Sequence, residues 1–279
     1  MNDFPWTLFF ILFAAGMLGG VAILPYALAL NPTTMDTIRE KLASSGKSIS
    51  PMFLVALNTV IQTVVLTGIA VFAGLLAGPQ VGLGLPVIQA ALLGQPVAGL
   101  ILGFLPVTIL VGICSALVLV GLDRYLFMPR LPEVFRQVSG RIALWKRLLT
   151  PLYGGINEEI LLRLFVMTGL AWLIGLVWKS PDGSVAVGVL WLANLLAALL
   201  FGLGHLPATA GITRLTPLVV TRALVMNGLA GLVLGFLYMT YGLESAMLAH
   251  ACLDIVMHVI VPELTAAGQS RPQPQTVSS

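Results

Sequence analysis

Long runs of apolar residues alternate with short polar intervals along almost the whole chain. A helix needs about 20 apolar residues to cross the hydrocarbon core of a bilayer. Segments of that length predict seven membrane spans, namely Trp6–Leu30, Met52–Gly78, Val97–Gly121, Leu152–Trp178, Ser184–His205, Leu215–Tyr241 and Leu243–Leu264. The apolar stretch Pro86–Leu93 is too short to cross, so we expect a re-entrant or interfacial turn there. The predicted fold is an all-α, polytopic transmembrane helical bundle.

The polar intervals divide this single membrane domain into four parts. They are three scaffold spans in residues 1–130, a predicted amphipathic interfacial helix in 131–150, the four later spans in 151–264, and a tail in 265–279. In the second part, apolar residues recur at helical spacing with basic residues between them, which is typical of a helix on a membrane surface. The tail is rich in Pro, Gln and Ser, and we expect it to be disordered.

The composition excludes a soluble domain. Hydrophobic residues make up 58% of the chain and charged residues 9%, whereas soluble domains carry about 25% charged residues. The net charge of +3 does not indicate nucleic acid, because cytoplasmic loops of membrane proteins are enriched in Lys and Arg. The expected partner is therefore the lipid bilayer and not a nucleic acid. Cys114 and Cys252 lie in apolar segments and predict neither a disulfide nor a zinc finger.

Basic residues are concentrated on one side of the predicted bundle. Eleven of them lie in the loops 31–51, 122–150 and 206–214 or in the tail, and only Lys179 lies in the opposite loops. Lys and Arg mark the cytoplasmic side of a membrane protein. We therefore expect the N-terminus outside the cell and the C-terminus in the cytoplasm. The short loops favour a bacterial inner membrane.

Ionisable residues within spans are confined to the second half of the chain. The first three spans have none beyond their ends, whereas the last four contain Glu158, Glu159, Arg163, His205, Arg222, Glu244, His250, Asp254 and His258. Such residues are costly in lipid and usually functional. A purely structural ion cluster between helices is the other interpretation. We therefore expect the early spans to form a scaffold and the late spans to carry a site.

The spacing of these residues predicts which of them share a helix face. Glu159 and Arg163 are four residues apart, so they can pair, whereas Glu158 points about 100° away and is left unpaired. An unpaired carboxylate in lipid favours a chemical role over a structural one. In the seventh span, His250, Asp254 and His258 are each four residues apart and form one polar stripe, which must face protein or a wet cavity.

Three short motifs together resemble a known family. Glu158-Glu159 followed by Arg163, Phe201 followed by His205, and His250 followed by Asp254 occur in this order on three late spans. This arrangement is similar to that of the CAAX-protease and bacteriocin-processing family of intramembrane glutamate endopeptidases. The similarity covers roughly residues 145–262. It implies a multispan protease that uses no metal or other cofactor and cleaves a membrane-anchored peptide or protein.

The resemblance also implies a role for each motif residue. Glu158 would activate water with the help of His205. His250 and Asp254 would stabilise the oxyanion. Glu159 and Arg163 would support the site. Hydrolysis of a peptide bond requires such a base and such donors. The four spans of residues 151–264 would then be the catalytic core.

Two features complicate this interpretation. The family often has Asn where this chain has Asp254, and an ionised carboxylate cannot donate a hydrogen bond to an oxyanion. Asp254 would either orient His250 or carry a proton itself. In addition, regular helices would place Glu158 and His250 at different depths. We therefore expect the Tyr241–Gly242 turn to be recessed within the protein and the cavity to open to the cytoplasm.

Three other functions fit the same residues. Glu158, His205 and His250 could be the ligands of a catalytic zinc ion. Buried Glu, His and Asp residues could relay protons in a proton-coupled transporter. A non-catalytic membrane or immunity protein could keep the fold without the chemistry.

Overall fold

The computed structural model describes residues 4–133 and 142–269, which are helical apart from their connections. Among these described residues, six helices are long and apolar enough to cross a membrane, namely Trp6–Leu30, Pro51–Gln80, Ala98–Arg130, Val187–Ala210, Pro217–Tyr241 and Leu243–Thr265. Within the described part of the chain there is no strand, and an isolated bridge pair joins Lys179 and Val185. The prediction of an all-α, polytopic membrane bundle is confirmed.

Several of the seven predicted spans are interrupted in the structure. The first consists of Trp6–Ala22 and Leu24–Leu30, with the break just before Pro25. The third continues from Ala98–Leu122 into a π-helical turn, Asp123–Phe127. The fifth consists of Val187–Gly204 and Leu206–Ala210, which meet at His205. The seventh consists of Leu243–Asp254, the π-helical segment Ile255–Ile260 and the helix Val261–Gln269, and it therefore ends beyond the predicted limit at Leu264.

The predicted fourth span corresponds to a helical segment over residues 150–175 that is not a regular α-helix. It consists of Thr150–Leu152, the π-helical segments Tyr153–Glu158 and Ile160–Met167, and the α-helix Thr168–Gly175. It packs against the first, second, fifth and seventh spans, and so occupies the centre of the bundle. This position shields its charged residues from lipid, as their cost in hydrocarbon requires.

Small residues set how closely the scaffold approaches this central segment. A Cβ atom at Gly16 or Gly20 would lie 2.5 Å from Thr67 or Thr63 of the second span, so these glycines allow the two helices to touch. The Asn157 amide donates a hydrogen bond of 2.7 Å to the Gly16 carbonyl. The first span therefore fixes the residue that immediately precedes the Glu158–Glu159 pair.

The short apolar stretch after the second span covers the turn between the sixth and seventh spans. It forms the helix Pro86–Leu92, which agrees with a segment too short to cross. Gly242 has φ +95°, a conformation that favours glycine, and it packs directly against Pro86. The Leu243 N–H donates to the Gly84 carbonyl at 3.0 Å, and the Ile88 N–H donates to the Glu244 carboxylate at 2.9 Å. The turn is therefore held by the short helix that covers it, and its recessed position in the membrane stays a prediction.

The predicted interfacial helix of residues 131–150 lies partly outside the described residues, which leave out 134–141. The described part contains a short helix, Leu144–Arg147, preceded by an extended residue, Ala143. Arg147 forms an ion pair with Glu263 and donates to the His258 carbonyl at 3.4 Å. The segment is thus attached to the end of the seventh span. Most of the tail, residues 270–279, also lies outside the described part of the chain.

Candidate active site

Three spans bring the motif residues together. Glu158 comes from the central fourth segment, His205 from the end of the helix Val187–Gly204, and His250 from the seventh span. The Glu158 carboxylate lies between the two histidines. One of its oxygens is 3.8 Å from His205 Nε2, and the other is 3.6 Å from His250 Nε2. Residues separated by more than 90 positions along the chain therefore converge on one carboxylate.

Glu159 has a different environment from Glu158. It is fully buried, and one oxygen accepts hydrogen bonds from Arg163 at 2.9 Å and from His250 Nδ1 at 2.7 Å. The second Arg163 nitrogen donates to the Gly231 carbonyl of the sixth span at 3.1 Å. The predicted Glu159–Arg163 pair is present, and it has a further function that the spacing did not indicate. Because a carboxylate can only accept, Glu159 fixes the proton of His250 on Nδ1.

The contact with Glu159 corrects one of the two roles considered for Asp254. The residue that orients His250 through a hydrogen bond is Glu159 and not Asp254. One Asp254 oxygen lies on the other side of the ring, 3.8 Å from Nε2. The same oxygen is 3.7 Å from Nε2 of His258. Asp254 thus lies between the two histidines of its own helix.

His205 is oriented by the backbone of its own helix. Its Nδ1 is 2.9 Å from the Phe201 carbonyl, four residues earlier. A carbonyl can only accept, so Nδ1 carries a proton and donates it. The other nitrogen, Nε2, therefore faces Glu158 and holds a lone pair when the ring is neutral. A water molecule between Nε2 and the carboxylate could hydrogen bond to both.

Two residues outside the predicted set shape the site. The Phe201 ring packs edge-on against His205 and His250, with centroids 4.8 and 5.9 Å apart, and the Arg163 guanidinium lies 5.0 Å from its centroid. Gly154 leaves room for the seventh span, since a Cβ atom there would lie 2.5 Å from Asp254 and 2.9 Å from His250 Nε2. Phe201 occurs in the quoted motif. The Gly154-Gly155 pair before Glu158 was a signal of close approach that helical spacing alone did not reveal.

The ionisable residues in contact with one another form one cluster: Glu158, Glu159, Arg163, His205, His250, Asp254 and His258. The remaining ionisable residues of the late spans lie outside this cluster. Arg222 forms a bidentate pair with Asp123 at the end of the third span, at 2.7 and 2.8 Å. Glu244 accepts a hydrogen bond from the Ile88 backbone at the start of the seventh span. Both residues connect helices to each other, so for them the structural interpretation is sufficient.

The cluster opens toward the end of the bundle that carries the basic loops. His205 follows the fifth helix at this end, and Glu158 lies near the beginning of the fourth segment. The side chains of His205 and His258 are 35% and 39% exposed, whereas that of His250 is 4% exposed. A cavity of about 640 Å³ at the opposite end, beside Tyr241 and Gly242, contains none of the cluster residues.

Residues 140–256 match a family model described as Rce1-like, type II CAAX prenyl endopeptidase Rce1-like. The match contains all the motif residues that carried the resemblance. This part of the chain is similar to type II CAAX prenyl endopeptidases. The searches of curated proteins and of solved structures gave no match. The similarity is therefore confined to this region, which holds most of the late spans and all of the motifs.

The CAAX-protease match covers every motif residue but ends before His258, and it does not assign individual roles to these residues. Glu158, His205, His250 and Asp254 as catalytic residues stay predictions, as does the absence of a metal from the reaction. Among the described residues, no group of three or more His, Cys, Asp or Glu side chains is arranged to hold a metal ion.

Gly154 offers a first test of the geometry. We expect Gly154→Ala to lower the cleavage rate by about 100-fold. The added methyl group would overlap Asp254 and His250 and push the His250 ring away from Glu158. The measurement is the initial rate of peptide cleavage by reconstituted protein. Gly169→Ala is the matched control, since a Cβ atom there meets nothing within 4 Å. Equal activity of the two variants would show that the spacing around Gly154 is unimportant.

Proposed function

We propose that this protein is an intramembrane endopeptidase of the glutamate type, in which Glu158 activates a water molecule to hydrolyse a peptide bond. The observation that carries the proposal is the position of the Glu158 carboxylate between two histidine Nε2 atoms, at 3.6 and 3.8 Å. The side chain is only 17% exposed, so its charge is held in a sheltered place next to an opening. The family match supports protease activity independently.

The first step uses Glu158 and His205. A water molecule held between them gives a proton to the Glu158 carboxylate as its oxygen attacks the peptide carbonyl carbon. His205 Nε2 positions the water by accepting its second hydrogen. The tetrahedral intermediate then collapses, the bond between carbon and nitrogen breaks, and Glu158 returns the proton to the leaving amine.

The second requirement is a donor for the oxygen that becomes negative. His250 is suited to this role because Glu159 holds its ring in place through Nδ1, which leaves Nε2 directed toward Glu158. When Nε2 carries a proton, the ring is a cation that can donate to the oxyanion. Arg163 compensates the charge of Glu159 and connects it to the sixth span. The pair thus supports the site without contacting the substrate.

We further propose that the substrate is a membrane-anchored peptide or protein that reaches the site from the cytoplasm. The cluster opens at the end of the bundle where the basic loops lie, which the distribution of Lys and Arg assigns to the cytoplasmic side. A cysteine placed at Arg214 should therefore react with an impermeant reagent only from the cytoplasmic side of sealed vesicles. Labelling from the outside alone would reverse the proposed orientation.

The experiment for the function itself is peptide cleavage by wild-type protein in liposomes. Three substrate classes are compared by mass spectrometry of the products: lipidated C-terminal peptides, leader peptides and single membrane-spanning segments. We expect cleavage in at least one class. If a folded wild-type protein cleaves none of them, the proposal fails, and proton flux across the same liposomes would then favour a transporter.

A further inference from the structure

We propose that His258 is the solvent-side end of a proton path that runs through Asp254 to His250. His258 would be a positioning residue, which acts on the site through Asp254 and does not contact the substrate. The inference rests on the proposed function only for the role of the path in catalysis. The path itself can be tested without any cleavage reaction, because protonation of His250 can be measured directly.

The geometry of one carboxylate oxygen carries the proposal. Asp254 Oδ1 lies 3.8 Å from His250 Nε2 and 3.7 Å from His258 Nε2. These separations exceed a direct hydrogen bond, and a small side-chain rotation or a shared water molecule closes each of them. Because one oxygen faces both rings, a proton that reaches Asp254 from one histidine can pass to the other.

Exposure decreases in steps along this path. The side chain of His258 is 39% exposed, that of Asp254 10% and that of His250 4%. His250 therefore has almost no direct contact with solvent. Solvent protons can reach His258 first, and Asp254 connects it to the buried ring.

His250 needs this connection because its two nitrogens have different partners. Nδ1 donates to Glu159, so a donor at Nε2 requires a doubly protonated ring. The acidic groups near Nε2 are Glu158 and Asp254. Glu158 takes the proton of the attacking water in the proposed reaction. Asp254 is then the group through which His250 can gain or lose a proton without interfering with that step.

The transfer is balanced without any reagent other than solvent. A protonated His258 gives its Nε2 proton to Asp254 Oδ1, and Asp254 gives a proton to His250 Nε2. His258 then takes a proton from solvent, so that the net change is one proton added to His250. The same steps in reverse release it. An amide in place of the Asp254 carboxylate could not carry the proton.

Other titratable or charged groups face His258 from the elements packed around it. Tyr26 of the first span approaches its ring edge-on, with centroids 6.2 Å apart. Arg147 donates to the His258 carbonyl and is paired with Glu263. Arg147 is thus the positively charged group near His258, and Glu263 and Asp254 are the negatively charged ones.

Nuclear magnetic resonance with ¹⁵N-labelled histidine tests the path directly, because the chain contains three histidines. The ring signals are assigned from His205→Gln and His258→Gln, and exchange of the His250 Nε2 proton with water is measured as a function of pH. We expect His258→Gln to slow this exchange several-fold. Asp254→Asn should slow it equally although His258 is present. Cys252→Ala, on the same helix but outside the polar stripe, should leave it unchanged.

A further variant separates proton transfer from a structural effect. In His258→Ala, added imidazole should restore the exchange rate, because the half-exposed position is accessible to a small proton carrier. Exchange at the wild-type rate in both His258→Gln and Asp254→Asn would overturn the proposal, as would a loss that imidazole does not restore. A protein that shows this exchange but cleaves no peptide would leave the path established and remove only the proposed protease function.

Discussion

Glu158→Gln should reduce peptide cleavage by about 10³-fold or more while the protein remains folded. Gln keeps the shape of the side chain but cannot take a proton from water, and general-base catalysis contributes about 10²–10⁴-fold to a rate. The measurement is the initial cleavage rate at equal concentrations of folded, reconstituted protein. The loss should appear in kcat, because Glu158 is proposed to act on water and not to bind the substrate.

Glu244→Gln is the matched control for this experiment. Glu244 is also an acid within the seventh span, but it lies at the end remote from the cluster and accepts a backbone hydrogen bond from Ile88. Gln can accept the same bond, so cleavage should stay near the wild-type rate. Similar losses in both variants would indicate that acids in the spans affect the fold in general. A fully active Glu158→Gln protein would remove Glu158 from the mechanism.

Arg163→Met should lower the free energy of unfolding by about 3–5 kcal/mol, because it leaves the Glu159 carboxylate buried without its cation. Arg163 and Glu159 are 2% and 0% exposed, so water cannot replace the lost partner. Adding Glu159→Gln should recover much of the stability, since the uncompensated charge is then absent. It should not recover cleavage, because an amide has no negative charge to stabilise the His250 cation that the proposed mechanism uses. Unfolding in mixed detergent micelles and cleavage rates provide the two measurements.

An exposed ion pair provides the control for the buried one. Arg39 and Asp36 are 2.6 Å apart with both side chains 66% exposed. Surface pairs of this kind contribute less than about 1 kcal/mol, so Arg39→Met should hardly change the unfolding transition. If Arg163→Met were as mild as Arg39→Met, the Glu159–Arg163 pair would not be a buried support of the site.

Hydrophobic pattern and helical spacing predicted most of the architecture. Seven apolar runs gave the bundle, and the four-residue spacing predicted the Glu159–Arg163 pair, because both depend on local geometry alone. The centre of the fold was less predictable. The π-helical turns of residues 153–167 have no distinctive apolar pattern, so the sequence predicts a regular helix there.

Contacts between helices could not be derived from one helix at a time. The hydrogen bond from His250 to Glu159 depends on how the seventh span is rotated against the fourth segment. That rotation follows from close approach at Gly154 and at Gly155, where a Cβ atom would lie 2.9 Å from the Met247 carbonyl. Spacing within the seventh span could only suggest Asp254 as the partner of His250. The tautomers of both catalytic candidates, His205 and His250, likewise depend on contacts that are evident only in three dimensions.

The most direct test of the central claim is the cleavage rate of wild-type protein before and after complete removal of metal ions by a strong chelator. The account predicts an unchanged rate, together with an inactive Glu158→Gln protein in the same preparation. Loss of cleavage on chelation, with recovery on addition of zinc, would contradict it. Glu158, His205 and His250 would then be the ligands of a zinc ion, and water activation by a free Glu158 carboxylate would be excluded.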